Sequence, residues 1–214
     1  RLFFRCAIPS IVTMVFGALY QIADGLFVGR FIGENALAAV NIVMPIIMMV
    51  FACSNMVATG ASVRIAVLLG EKNREKASRV FSFTVKFIFV LSCVIGIVGF
   101  FFAEFFVRLL APTATTQAIE YGVTYLRVYA IFSPLSTLSY ATDNFLRVCG
   151  KEKLSMWLSI GTQLLNVLLD VILIAFLGQG VWAAAFTSCF AMAFSTIITL
   201  CLFRKKRLDL YYTR

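Results

Sequence analysis

The stretch "ALYQIADGLFVGR" (18–30) is apolar enough to lie in a lipid bilayer, yet it carries an aspartate, Asp24. An ionised carboxylate at the centre of a membrane helix costs about 2.5–3.5 kcal/mol on insertion scales. The residues around it set the solvent, and the solvent sets what Asp24 has to do.

Of 214 residues, 61% are hydrophobic and 14% charged, and histidine is absent. Soluble domains carry nearer to about 25% charged residues. Several runs exceed the roughly 18 mostly apolar residues that mark a spanning helix. The chain reads as an all-α membrane protein of several spans. Its net charge of +9 does not point to nucleic acid, because the basic residues sit in short turns between apolar runs and not on the face of a soluble domain. No nucleophile–base or metal-binding constellation appears, so an enzyme is not expected. Cys6, Cys53, Cys93, Cys149, Cys189 and Cys201 lie in or near the spans with no metal-ligand spacing, and are expected to pack as small apolar residues. The first apolar run is too long for a signal peptide and lacks a small-residue cleavage pattern. With no initiator Met and a basic last segment, "FRKKRLDLYYTR", the chain is expected to be part of something longer.

Six spans can be drawn, at about 6–29, 36–69, 77–110, 119–148, 154–177 and 181–203, and the second to fourth are long enough to tilt or extend beyond the bilayer. The breaks carry turn chemistry: "GEN" (33–35), "GEKNRE" (70–75), "APTATTQ" (111–117), "CGKEK" (149–153) and "GQG" (178–180). Loops this short leave no room for a soluble domain, so residues 1–214 form one bundle of antiparallel neighbours. Lys and Arg alternate between its two ends. Arg1, Arg5, Lys72, Arg74, Lys76, Arg79, Arg147, Lys151, Lys153, Arg204, Lys205, Lys206, Arg207 and Arg214 fall on one side; Arg30, Arg108 and Arg127 fall on the other. The positive-inside rule then places both termini in the cytoplasm.

With orientation set, depth can be compared. Asp24, Asp170 and Thr187 each lie six to eight residues from the outer end of their span, roughly 9–12 Å deep at about 1.5 Å per residue. Thr13, Gly17, Tyr20 and Asp24 follow i, i+4, i+7, i+11 on the first span, and Ser159, Gln163, Asn166 and Asp170 repeat that spacing on the fifth. Two polar stripes, each ending in an aspartate at one level, are expected to face one interior site. Glu104 with Arg108 and Asp143 with Arg147 are i, i+4 pairs expected to neutralise each other. Asp143 stays open, because Asn144 beside it could extend a polar network. Arg64 and Lys86 are close enough to the cytoplasmic face to snorkel. Pro9, Pro45 and Pro134 fall inside spans; Pro9 lies about four turns below Asp24, where a bend could be coupled to that aspartate or be a static packing kink.

"ADGLFVGRFIGENALAAVN" (23–41), "LRVCGK" (146–151) and "NVLLDVILIAFLGQGVWAAAFTS" (166–188) resemble multidrug and toxic compound extrusion (MATE) transporters over the whole chain. The resemblance implies the amino-terminal six-helix lobe of a twelve-helix transporter, with the carboxy-terminal lobe as the missing partner. It implies a cation-coupled antiporter exporting organic cations across the cytoplasmic membrane, with H⁺ or Na⁺ as coupling ion and no other cofactor. Asp24, Tyr20, Asn166, Asp170 and Thr187 match the family's ion-binding positions, with Na⁺ a candidate at Asp24, Asp170, Asn166 and Thr187. Pro9 matches a first-helix proline whose kink is linked to protonation. Asp143 or Asn144 could stand at a fourth-helix position of the same network, and Gln163 borders it. Two carboxylates in one low-dielectric pocket are expected to titrate as a pair. The alternatives are a lipid-linked saccharide flippase of the wider exporter superfamily, which should show a cationic cavity, and a non-transporting membrane subunit.

Overall fold

The computed structural model describes residues 2–204, 210 and 211, with side chains from residue 8 onward. Seven helices account for nearly all of them, and no strand is present among the described residues. In chain order they are α1 (Leu2–Phe27), α2 (Glu34–Gly70), α3 (Arg74–Phe101), α4 (Ala103–Leu110), α5 (Thr116–Val148), α6 (Glu152–Asp170) and α7 (Val181–Arg204). Two of them widen at their ends into π-helical segments, α1 into Val28–Ile32 and α6 into Val171–Phe176. Arg1, Lys205, Lys206, Arg207 and Arg214, and the side chains of Arg5 and Cys6, lie outside the described residues.

Turn chemistry ends each helix where the sequence changes. Gly33, at φ +118°, separates the first π-helical segment from α2 in a backbone conformation that other residues rarely adopt. Asn73 caps α3 by accepting from the Lys76 amide at 3.2 Å, and Thr115 caps α5 by accepting from the Ala118 amide at 3.2 Å. Pro9, Pro45 and Pro134 sit inside α1, α2 and α5. Thr13 Oγ1 donates back to the Pro9 carbonyl at 2.9 Å, a bond that favours helix bending.

Two departures from the sequence reading have clear causes. The third predicted segment, 77–110, breaks at Phe102 into α3 and the eight-residue α4. α4 buries Ala103 and Val107 and exposes Phe105, Leu109 and Leu110, as an element lying over one end of the bundle would. Among the described residues, five helices are long and apolar enough to cross a membrane, whereas the fourth predicted span, now α5, does not reach that composition. α5 is the central helix, packed by α2, α3 and α7. Surrounded by protein, it can carry the buried Ser133, Ser136, Thr137 and Thr142 in place of lipid-facing apolar residues.

Around α5 the core falls into two apolar clusters. An outer one holds Val40, Val43, Val107, Leu126, Tyr129 and Ile174; an inner one holds Ile65, Phe81, Ile88, Phe145 and Phe203. Between them α3 and α5 approach closely, with Ser92 and Thr137 hydroxyls 2.6 Å apart and Ser133 donating to the Ser92 carbonyl at 3.0 Å. Gly96 permits this approach, since a Cβ there would stand 2.5 Å from Ser133 Oγ and 2.6 Å from the Ala130 carbonyl oxygen. α1 packs chiefly on α6 and leaves Ile8, Ile11, Met14, Leu19, Ile22 and Leu26 exposed. After α7, Leu210 is buried in the inner cluster and the Tyr211 amide donates to Ser78 Oγ at 3.3 Å.

Candidate functional site

The α1–α6 contact aligns the two polar stripes. Gly17 leaves α1 room beside Gln163, whose Nε2 would lie 3.6 Å from a Cβ at that position. Farther along the stripes, Asp24 of α1 and Asp170 of α6 come near enough for each to feel the other's charge. Thr187 Oγ1 donates to Asp170 Oδ1 at 2.5 Å. Asp170 and Thr187 are wholly buried and Asn166 nearly so. Asp24 Oδ1, Asp170 Oδ2 and Asn166 Oδ1 are all buried with no hydrogen-bond partner. Three unsatisfied acceptor oxygens at one level make an electronegative centre that a proton or a hard cation would neutralise. The described residues hold no group of three or more His, Cys, Asp or Glu, so any ion here would be held by two carboxylates and neutral oxygens. Both aspartates lie at the threshold of a π-helical segment, Asp170 directly before Val171 and Asp24 four residues before Val28, and the two segments touch. Such local widenings of a helix are frequent at functional sites.

Below the carboxylates, Ser188 joins three helices. Its hydroxyl accepts from Asn166 Nδ2 at 3.0 Å and pairs with Tyr20 Oη at 3.2 Å. These groups form the roof of a cavity of about 520 Å³ between α1, α5, α6 and α7. Its walls include Thr13, Gly17, Ser139, Tyr140, Thr142, Ser159, Thr162, Gln163 and Ser195, mixed with Met14, Leu146, Leu158 and Met192. A volume of this order accommodates a small organic molecule, and mixed apolar and polar walls suit one.

The cavity's charged lining residues are Asp143 and Arg147. Arg147 Nε donates to Asp143 Oδ2 at 2.9 Å, Arg147 Nη1 donates to Ser10 Oγ at 2.9 Å, and Ser155 Oγ donates to Asp143 Oδ1. The pair thus ties α5 to α1 and α6 at the end of the cavity away from the aspartates. Asn144 Nδ2 donates to Asn55 Oδ1 of α2 at 3.0 Å. Both open candidates on the fourth span are therefore engaged away from the aspartates, because the i, i+4 arginine claims Asp143 and Asn144 faces α2. The side chains that α5 does bring near are Tyr125, buried within range of both carboxylates' charge, and Tyr140, beside Tyr20. Glu104 and Arg108 pair at 2.9 Å on α4, away from the cavity. Among the described residues, Cys53, Cys93, Cys149, Cys189 and Cys201 form no disulfide.

The sequence reading passed over Ser188, Tyr125 and Tyr140. A signal for the two tyrosines was present: Tyr125, Tyr129, Ser133, Ser136 and Tyr140 follow i, i+4, i+8, i+11, i+15 and mark an interior face of α5. Ser188 had no such signal, since only its place beside Thr187 distinguishes it.

A polar site with two neighbouring carboxylates beside a cavity between helices, inside a bundle of apolar helices, defines a transporter-like membrane protein. A model of the MatE family matches residues 9–172, and the chain belongs to that family, whose members are transporters and not enzymes. It is 24% identical over 211 residues to the probable multidrug resistance protein YoeA of Bacillus subtilis (strain 168), covering 97% of this chain and 45% of YoeA. A solved structure of the MATE multidrug transporter DinF-BH superimposes with a TM-score of 0.91 at 29% identity, covering 97% of this chain and 47% of that one. A transporter of the MOP superfamily from Pyrococcus furiosus, described as having a binding pocket of reverse polarity that suggests a different function, matches with a TM-score of 0.90 at 27% identity. That match covers 98% of this chain and 46% of the Pyrococcus one. The chain spans about half the length of the relatives it matches.

Proposed function

We propose that this chain is the amino-terminal six-helix lobe of a cation-coupled exporter of organic cations. The carboxy-terminal lobe of the same transporter is its principal partner, the membrane is the cytoplasmic one, and both ends of the lobe lie on the cytoplasmic side. The observation that carries the reading is the pairing of half-buried Asp24 with the fully buried Asp170, which Thr187 holds, beside a cavity of mixed polar and apolar walls. Two adjacent carboxylates out of water repel each other, and a proton or Na⁺ between them removes that cost. Oxygens of Asp24, Asp170, Asn166 and Thr187 are the donors that a hard cation prefers. Asp24 is on α1, which packs mainly on α6, so a change of charge between these two aspartates acts on a helix held chiefly by one neighbour. Thr13 and Pro9 lie on that helix, at the point where it can bend. Entry of the cation from outside would thereby favour release of the organic substrate to the same side.

The names of the relatives support drug export as the direction of transport. The cavity lacks the cationic surplus expected of a flippase for anionic lipid-linked saccharides, because its charged lining residues, Asp143 and Arg147, pair with each other. Asp24→Asn and Asp170→Asn in the full-length transporter are expected to abolish cation-driven efflux of a fluorescent organic cation while leaving expression intact. Undiminished efflux with either variant overturns the assignment.

A further inference from the structure

We infer that Ser188 is a positioning residue for the coupling cation: its hydroxyl fixes the side-chain amide of Asn166 so that Oδ1 is presented as an acceptor beside the aspartates. The inference rests on the reading of Asp24 and Asp170 as the cation site.

An asparagine amide has one acceptor end and one donor end, and a turn about its last bond exchanges them. On a nearly fully buried Asn166, the choice between them is made by whichever partner holds one end. Ser188 Oγ holds the Nδ2 end at 3.0 Å, which leaves Oδ1 on the other side, buried and without a hydrogen-bond partner. A buried carbonyl oxygen left unsatisfied is costly for the protein alone, and a cation ligated there offsets that cost. Asn166 lies one turn from Asp170 along α6, so its free oxygen is on the same stripe as the carboxylate.

The second partner of Ser188 completes its hydrogen bonding. A serine hydroxyl has a single proton; having accepted from Asn166, it can donate that proton to Tyr20 Oη, 3.2 Å away. The chain Asn166 to Ser188 to Tyr20 then links α6, α7 and α1, and Tyr20 is one turn from Asp24. α7 thus serves the site with two consecutive residues: Thr187 orients the carboxylate and Ser188 orients the amide. Ser188 and Tyr20 also line the cavity, so a substrate that takes either hydroxyl as a partner loosens the hold on Asn166. The titratable groups around this hub are Asp24 and Tyr20 from α1, Tyr125 and Tyr140 from α5, Asp170 from α6 and Cys189 on α7.

The test uses the full-length transporter in proteoliposomes, with ethidium as the exported cation. Rate is measured against Na⁺ at fixed pH and against external pH at fixed Na⁺. Removing the group that orients a ligand typically weakens ion affinity about 10–100-fold. S188A should therefore raise the half-saturating concentration of the coupling cation, whichever of the two it is, by at least about tenfold. S188T, which keeps the hydroxyl, should stay within about twofold of wild type. If S188A does not accumulate, S188C keeps the volume with a thiol that accepts only weakly and carries the same expectation. A serine needed only for packing would lower the amount of folded protein or the maximal rate and leave both half-saturation values in place; that result overturns the inference. Wild-type rates that depend on neither ion overturn the parent reading as well, whereas cation-dependent wild type with an unshifted S188A overturns this inference alone.

Discussion

Replacing Gly96 by alanine should unlock the contact on which the cavity's α5 wall depends. A Cβ at Gly96 would stand 2.6 Å from the Ala130 carbonyl oxygen, against at least 3.4 Å for ordinary contact. Ala130 is inside a helix and its carbonyl cannot turn away, so α3 and α5 must separate by about 0.8 Å locally, the difference between those two distances. The Ser133 to Ser92 carbonyl bond, 3.0 Å now, would then stretch beyond hydrogen-bond range, and the 2.6 Å Ser92–Thr137 contact would weaken with it. Overpacking costs about 1–3 kcal/mol, and interhelical hydrogen bonds in membranes average about 0.6 kcal/mol each. The expected loss is roughly 2–4 kcal/mol, or a fall of roughly 5–15 °C in the unfolding midpoint for a chain of this size. The measurement is thermal unfolding in detergent, followed by intrinsic fluorescence. Gly99→Ala is the control, one turn along the same helix, because its Cβ would meet Ala130 Cβ at an ordinary 3.7 Å. G96A melting within about 1 °C of wild type, or G99A falling as far as G96A, would refute the reasoning.

Thr187→Val removes the hydroxyl that donates to Asp170 at 2.5 Å and should weaken coupling-cation affinity about 10–100-fold, while Thr187→Ser stays near wild type in the same transport titration. A double-mutant cycle on Asp143→Asn and Arg147→Gln should give a coupling energy of about 1 kcal/mol or less in thermal unfolding, because both partners are about a third exposed. Ser159→Cys, introduced on the cavity wall, should react with a small water-soluble maleimide and be protected when an organic cation is bound. Equal labelling with and without the cation would place the binding site elsewhere.

The parts of the site that obey helix periodicity could be read before any coordinates. Asp24 and Asp170 end stripes of equal spacing at equal depth, and geometry alone brings such residues to one level. What periodicity could not supply was the partner of each polar atom. Asp143 looked free to join either Arg147 or the aspartates, and the choice was settled by Ser155 and Ser10, which reach the Asp143–Arg147 pair from two other helices. Asn144 faces Asn55, 89 positions away in the chain, a pairing with no local signature. The break at Phe102 was hidden because "GFFFAEFFVRLL" (99–110) stays apolar through the turn. Hydropathy marks where a segment resides and says little of where it bends.

The hydroxyl-rich face of α5 also bears on how the chain is made. A helix leaving the insertion machinery is first judged against lipid, one segment at a time, and by that standard α5 is a poor candidate. Its Ser133, Ser136, Thr137 and Thr142 can bond back to carbonyls of α5 itself, but they are buried only when α2 and α3, synthesised before it, and α7, synthesised after it, close around it. α5 should therefore be retained beside its predecessors until α7 emerges, so assembly of this bundle is cooperative across the order of synthesis. Mutations that weaken α3 would then appear first as failed insertion of α5, before any loss of transport could be measured.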